Sequence, residues 1–206
     1  VKGQTVTISA PNLQIAEFKI SGTAPFVSNR FSQKAQEQIR AKHAEGSTAK
    51  GKKKREPKDF EALYRGSMHT AREGWPGIPA SAFRCALISA CKICGFAMTR
   101  AKLAIFIVAE GFDEDGTPLV RIEGEHRQHE AMTRNATGVV DLRVRAMWDQ
   151  WSALVKVRFD ADMFTLSDIA NLLSRAGAQV GVGEGRADSK ASCGMGWGSF
   201  EVEGEK

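Results

Sequence analysis

The chain is 206 residues long, 42% apolar and 26% charged, the composition of an ordinary globular protein. That argues against wholesale disorder, and no run approaches the roughly 18 apolar residues of a membrane span. Basic residues outnumber acidic ones by 29 to 24, but the excess is local. Residues 28–72 hold 12 Lys and Arg against 5 Asp and Glu, a net +7, which leaves the rest of the chain at −2. A basic segment on a near-neutral body points to a polyanionic partner.

Val1 to Ala10 lacks a signal-peptide core, so the expected location is cytoplasmic. Cys85, Cys91, Cys94 and Cys193 then read as reduced thiols. Cys91-Lys92-Ile93-Cys94 also has zinc or redox spacing, but no second such pair and no nearby His accompanies it. No metal or cofactor is expected.

Thr5–Ala10 and Leu13–Thr23 read as extended, interrupted at Pro11-Asn12. Phe31–Glu45 has helical propensity but a thin apolar face of Phe31, Ala35 and Ile39. Gly46–Lys58 contains Lys50, Lys52, Lys53, Lys54 and Arg55 and no aliphatic residue larger than Ala, so it reads as a mobile basic loop. Order returns at Phe60–Tyr64. Ser81 is a candidate N-cap for a helix running to Gly95, with Phe83, Ala86, Leu87, Ala90 and Cys94 at helical spacing. Ala104–Ala109 reads as a buried strand pairing with Leu119–Ile122 in a hairpin across Asp113–Gly116. Polar Gly124–Thr137 reads as a loop. Val139–Trp148 and Trp151–Phe159 alternate, and read as one antiparallel hairpin turning at Asp149-Gln150. Its apolar side holds Trp148, Trp151 and Phe159; its other side holds Arg143, Arg145, Lys156 and Arg158. Thr165 and Asp168 form a capping box for a helix to Ala176, which Gly177 ends. Gln179–Val182 and Trp197–Val202 read as closing strands.

Between those last strands lie Gly181, Gly183, Gly185, Gly194, Gly196 and Gly198, with Arg186 and Lys190 among them. Glycines permit positive φ and close backbone approach, and successive N–H groups can cradle phosphates. The plainer alternative is a flexible hairpin connection. No GK[ST] occurs and no helix follows, so this is neither a P-loop nor a Rossmann turn.

Three segments in order carry a family resemblance: Ile20-Ser21-Gly22-Thr23-Ala24-Pro25-Phe26, Ile78-Pro79-Ala80-Ser81-Ala82-Phe83-Arg84-Cys85-Ala86-Leu87, and a helix–strand–glycine-rich-loop–strand ending with a GxG…GxGxF pattern. Together the chain resembles the RAMP superfamily, the CRISPR-associated RNA-binding proteins. The resemblance implies an α+β, ferredoxin-like or RRM-like antiparallel sheet with helices on one face. Residues 1–206 would form one domain, with residues 28–72 a basic, partly flexible insertion. It also implies a backbone-type subunit that grips single-stranded RNA and assembles as a homo-oligomer along it, alongside other complex subunits. The chain is shorter than typical backbone subunits, as a phage or mobile-element relative would be. Single-stranded DNA is the other candidate ligand.

The expected nucleic-acid contacts are Lys50, Lys52, Lys53, Lys54, Arg55, Arg84, Arg186 and Lys190, with Gly183, Gly185, Gly194, Gly196 and Gly198 allowing close approach. The Arg143, Arg145, Lys156 and Arg158 side reads either as an RNA platform or as a solvated sheet face. Two rival readings remain: a metal-independent endoribonuclease using His43 or His69 as general acid–base, and a non-enzymatic assembly protein. His126 and His129 lack rigid metal-ligand spacing.

Overall fold

The computed structural model describes residues 9–30, 59–134, 140–189 and 194–204. In chain order its elements are β1 (Leu13–Gly22), β2 (Phe26–Val27), α1 (Phe60–Gly66), β3 (His69–Thr70), β4 (Pro76–Pro79), α2 (Ala80–Ile93), α3 (Met98–Ala104), β5 (Ile105–Val108), β6 (Gly111–Phe112), β7 (Pro118–Arg121), β8 (His126–Arg134), β9 (Val140–Trp148), β10 (Ser152–Asp160), α4 (Leu166–Arg175), a π-helical turn (Ala176–Val180) and β11 (Phe200–Val202). Antiparallel strands and separate helices make this an α+β protein. No described helix is long and apolar enough to cross a membrane.

The main sheet has the order β11-β1-β10-β5, antiparallel throughout. Helix α2 precedes β5 and helix α4 precedes β11, so two β–α–β crossovers interlock. Alternation explains the layering. Ala16, Phe18 and Ile20 of β1 stand opposite Val157, Val155 and Ala153 of β10 and face the core. Ile15, Glu17 and Lys19 face outward, and Ile15 is 60% exposed. Helix α2 lays Phe83, Ala86, Leu87, Ala90 and Cys91 on the inner face, and α4 adds Ile169, Leu172 and Leu173. Burying a side chain such as Phe83 or Leu87 contributes about 1.5–3 kcal/mol.

The alternation at residues 139–159 is real, and Trp148, Trp151 and Phe159 are buried. The hairpin is not. β9 pairs with β2 and β8, while β10 pairs with β1 and β5, so the chain changes sheet at Asp149-Gln150. Alternation fixes which face a residue takes but not which strand it meets. The partner of β9 is β8, inside the stretch expected to be a loop. As the edge of a three-stranded sheet, β8 is polar on both sides, which blunts an exposed edge and hides the period-two signal.

Three further expectations are revised. β5 pairs with β10 rather than with β7, which joins β4 and β6 in a third sheet. Ser81 does not cap α2: Pro79 holds the cap position and no side-chain cap bond forms. Gly177 does not end the last helix, and Gln179–Val180 is not strand. The chain widens there into a π turn that buries Ala176, Gly177 and Val180, and the final strand is confined to Phe200–Val202. A methyl group on Gly177 would collide with the Phe200 carbonyl oxygen, so this glycine serves a close approach between the turn and β11.

The capping box is present in full, with Thr165 and Asp168 satisfying each other's backbone N–H. Two substitutions calibrate these contacts in thermal and urea melts. Thr165→Ala should cost about 1 kcal/mol. Gly177→Ala should cost more, about 2–4 kcal/mol, because backbone must move.

Candidate nucleic-acid interface

β8 and β9 form a nine-pair ladder from His126–Trp148 to Arg134–Val140. One face carries His126, Gln128, Glu130 and Met132 opposite Trp148, Ala146, Val144 and Leu142. Helix α1 closes the base of that face. Tyr64 shares a hydrogen bond with His126 Nδ1, the His126 ring lies 5.0 Å from Trp148, and Ala146 N–H donates to Ser67 Oγ at 2.9 Å. The other face carries Arg127, His129 and Ala131 opposite Met147, Arg145 and Arg143.

The glycine-rich segment lies against this second face. Its carboxylate Glu184 meets both arginines: Arg145 Nε donates to Oε2 at 3.0 Å, and Arg143 Nη1 to Oε1 at 3.5 Å. Trp197 stands edge-on to His129, with ring centroids 5.4 Å apart. Arg186 Nη1 donates to the Gly183 carbonyl at 3.2 Å and closes the loop on itself. These three arginines, His129 and Trp197 thus gather where the loop meets the β8–β9 ladder. Half-exposed pairs such as those to Glu184 contribute about 0.2–1 kcal/mol each, because water screens them.

The described parts of the loop, residues 181–189 and 194–198, are folded. Gly198 N–H donates to Pro25 O at 2.7 Å, Val182 N–H to Gly198 O at 3.0 Å, and Glu184 N–H to Val27 O at 2.9 Å. Met195 and Trp197 N–H both donate to Gly185 O. All six glycines of this segment have positive φ, between 68° and 82°. The reasons differ by position. At Gly198 a methyl group would strike the Val182 carbonyl oxygen, so the glycine permits approach of the chain to itself. A methyl group at Gly183 or Gly185 would likewise come within 2.6 Å of the Phe26 or Trp197 ring, and one at Gly194 would strike the Arg186 carbonyl oxygen. Only at Gly196, among the glycines expected to admit a ligand, does a methyl group meet open space.

The four-cation face expected at residues 143–158 is divided between two sheets. Arg143 and Arg145 sit beside the glycine segment. Lys156 pairs with Glu17 at 3.0 Å on the main sheet. Arg158 flanks the Phe106 ring, its guanidinium carbon 5.0 Å from the centroid. Arg84 flanks the same ring at 4.9 Å and donates to the carbonyls of Ile105 and Lys102 at 2.9 and 2.5 Å. It ties α2 to the edge strand β5, on the side of the sheet away from the glycine segment. Lys50, Lys52, Lys53, Lys54, Arg55, Lys190 and His43 lie outside the described residues.

His69 lies on β3, its Nδ1 3.1 Å from Asp113 Oδ2. Asp113 is buried and also accepts from Thr117 N–H at 2.8 Å. Burial pushes the imidazole below its usual pKa, partly countered by Asp113. His126 and His129 occupy opposite faces of β8, and no cluster of metal-ligating side chains exists among the described residues. Cys91 is buried in the core, where burial pushes its thiol pKa up, whereas Cys94 is exposed.

Sequence patterning marked Arg143 and Arg145 but not their surroundings. Glu184 reaches them, and Trp197 reaches neighbouring His129, from the glycine segment 39 or more residues away, where only the cations and glycines carried a readable signal. No protein-family model matches the chain, and no match to it was found among the curated proteins.

Two measurements follow from these contacts. Gly198→Ala should lower the melting temperature well below that of Gly196→Ala, which carries only the roughly 1–2 kcal/mol penalty of a left-handed backbone. For His69, the folded state favours the neutral ring, so the unfolded state binds the proton more tightly. Stability should therefore fall as pH drops below about 6.5, and His69→Gln should flatten that part of the profile.

Proposed function

We propose that the protein binds single-stranded RNA through its phosphate backbone, in the cytoplasm, at the junction of the β8–β9 ladder and the glycine-rich segment. The observation that carries this reading is the convergence there of Arg143, Arg145 and Arg186 with the rings of His129 and Trp197. Arginines contact phosphate oxygens, and aromatic rings stack on unpaired bases. Such a site holds a flexible single strand better than a duplex.

Two further features support the reading. The main sheet's order and its two interlocking crossovers support the ferredoxin-like reading that goes with the RAMP resemblance. Arg30, which precedes the basic segment in sequence, lies beside the same three-stranded sheet: its N–H donates to Ser67 O at 3.0 Å, and Ser67 in turn accepts from β9. Lys50, Lys52, Lys53, Lys54, Arg55 and Lys190 are proposed as further phosphate contacts. Assembly of several copies along one strand belongs to the same proposal.

A second reading, metal-independent RNA cleavage, is favoured by one observation, the His69–Asp113 pair. A carboxylate on Nδ1 orients an imidazole for general-base work at Nε2. Incubation with labelled RNA in the presence of a chelator separates the two. Cleavage lost in His69→Ala would establish the enzyme.

For the binding reading, the measurement is anisotropy of a labelled oligouridylate between about 50 and 200 mM salt. Affinity should fall steeply with salt. The double variant Arg143→Ala/Arg145→Ala should bind at least about tenfold more weakly, with a salt slope shallower by roughly 1.4, as expected for two lost phosphate contacts. Salt-independent binding, or none, would remove this reading in favour of a protein-assembly role.

A further inference from the structure

We propose that Arg143 and Arg145 form a phosphodiester subsite that the chain's own Glu184 fills until nucleic acid displaces it, and that Glu184 thereby selects polymeric over single phosphates. The proposal rests on the nucleic-acid reading above.

Each arginine takes one carboxylate oxygen, at 3.0 and 3.5 Å. Two non-bridging phosphate oxygens present the same pair of acceptors to guanidinium groups. The carboxylate is therefore a chemical stand-in for the ligand. It is also loosely held: the Arg143 contact is at the limit of a hydrogen bond, and the Arg143 side chain is 44% exposed. The Arg127–Asp149 pair on the same ladder differs, with two short bonds of 2.6 and 2.9 Å between one guanidinium and one carboxylate.

Glu184 can leave without unfolding its loop. Its backbone is fixed by Val27 O, Gly183 is seated on Phe26, and Gly185 O accepts from Met195 and Trp197. None of these contacts uses the carboxylate. Departure releases the Arg143 guanidinium and the Nε of Arg145, whose Nη1 stays on the Val144 carbonyl at 3.3 Å, beside His129, which lies opposite Arg145 in register and against the Trp197 ring.

The consequence is a threshold. A tethered carboxylate competes at an effective concentration of about millimolar or above. A single phosphate that gains only these two arginines exchanges one anion for another and profits little. A polynucleotide that engages Arg186 and other cations at the same time overcomes the competition.

The test uses the full chain, an oligouridylate of roughly 20 nucleotides, longer than one such fold covers, and uridine 5′-monophosphate. Wild type, Glu184→Gln and Glu184→Ala are compared at about 100 mM salt. Both variants should bind the oligomer roughly fivefold or more tightly, and the mononucleotide should gain at least as much. The gain should vanish when Arg143→Ala/Arg145→Ala is added, as a double-mutant cycle requires for direct contact. Unchanged or weaker binding by both variants would overturn the proposal, as would a gain that persists without the arginines. Early melting of both variants would also overturn it, by making the carboxylate part of the scaffold. If wild type and variants alike bind no oligomer, the nucleic-acid reading itself fails. Wild-type binding without a gain in the variants sinks only the role of Glu184.

Discussion

Phe26 is the side chain on which both halves of the molecule rest. Its ring is buried, 5.6 Å from Trp148 and 5.7 Å from Trp151. Trp148 belongs to the β8–β9 ladder. Trp151 immediately precedes β10, which runs through the main sheet, and it passes the contact on to Phe200 and from there to Phe83 of α2. One ring thus serves two sheets, and the chain can change sheet within the two residues between the tryptophans. Each aromatic pair adds about 0.5–1.5 kcal/mol beyond the area it buries. Gly183 lies so close to the same ring that a methyl group there would strike it, and the Trp151 indole N–H donates to Ala24 O. The connection between β1 and β2, the ladder and the glycine segment are all registered to this point.

Much of the fold was legible because periodicity reports burial. The strand β1, the helices α2 and α4 and the Thr165–Asp168 box follow from spacing alone. Pairing does not. Residues 140–148 and 152–160 share one alternation, and a short turn between them is compatible with a hairpin. What overrides it is non-local: β10 fits between β1 and β5, where Val155 and Val157 meet Phe18, Ala16 and Ile107. β8 was hidden for a related reason. His-Arg-Gln-His-Glu has no apolar face, and its strand character is imposed by β9.

The candidate site divides in the same way. The glycines and arginines were visible as residue types, but the use of the glycines was not. A glycine that lets a phosphate approach and a glycine that lets a carbonyl approach look identical in a sequence. Here the positive-φ backbone at Gly198 brings the chain against itself and so shapes the loop that presents Glu184 and Trp197. Arg84 shows the converse. It stood out as a cation in a family-like motif, yet its guanidinium bridges two backbone carbonyls and a phenylalanine ring and holds a sheet edge in place.

The position of β1 has a consequence for how the protein is made. Ile20 pairs with Ala153 on one side and with Val202 on the other. β1 is synthesised well before residues 200–202 and therefore waits for them before it has both neighbours. Such long-range pairing is slow and leaves apolar strand edges open in the nascent chain. The glycine segment lies between α4 and β11 and depends on Pro25 and Val27 for its backbone bonds. It takes shape only when the β1–β2 connection and β11 are both in place, so the basic site is absent until the chain has been made through Val202.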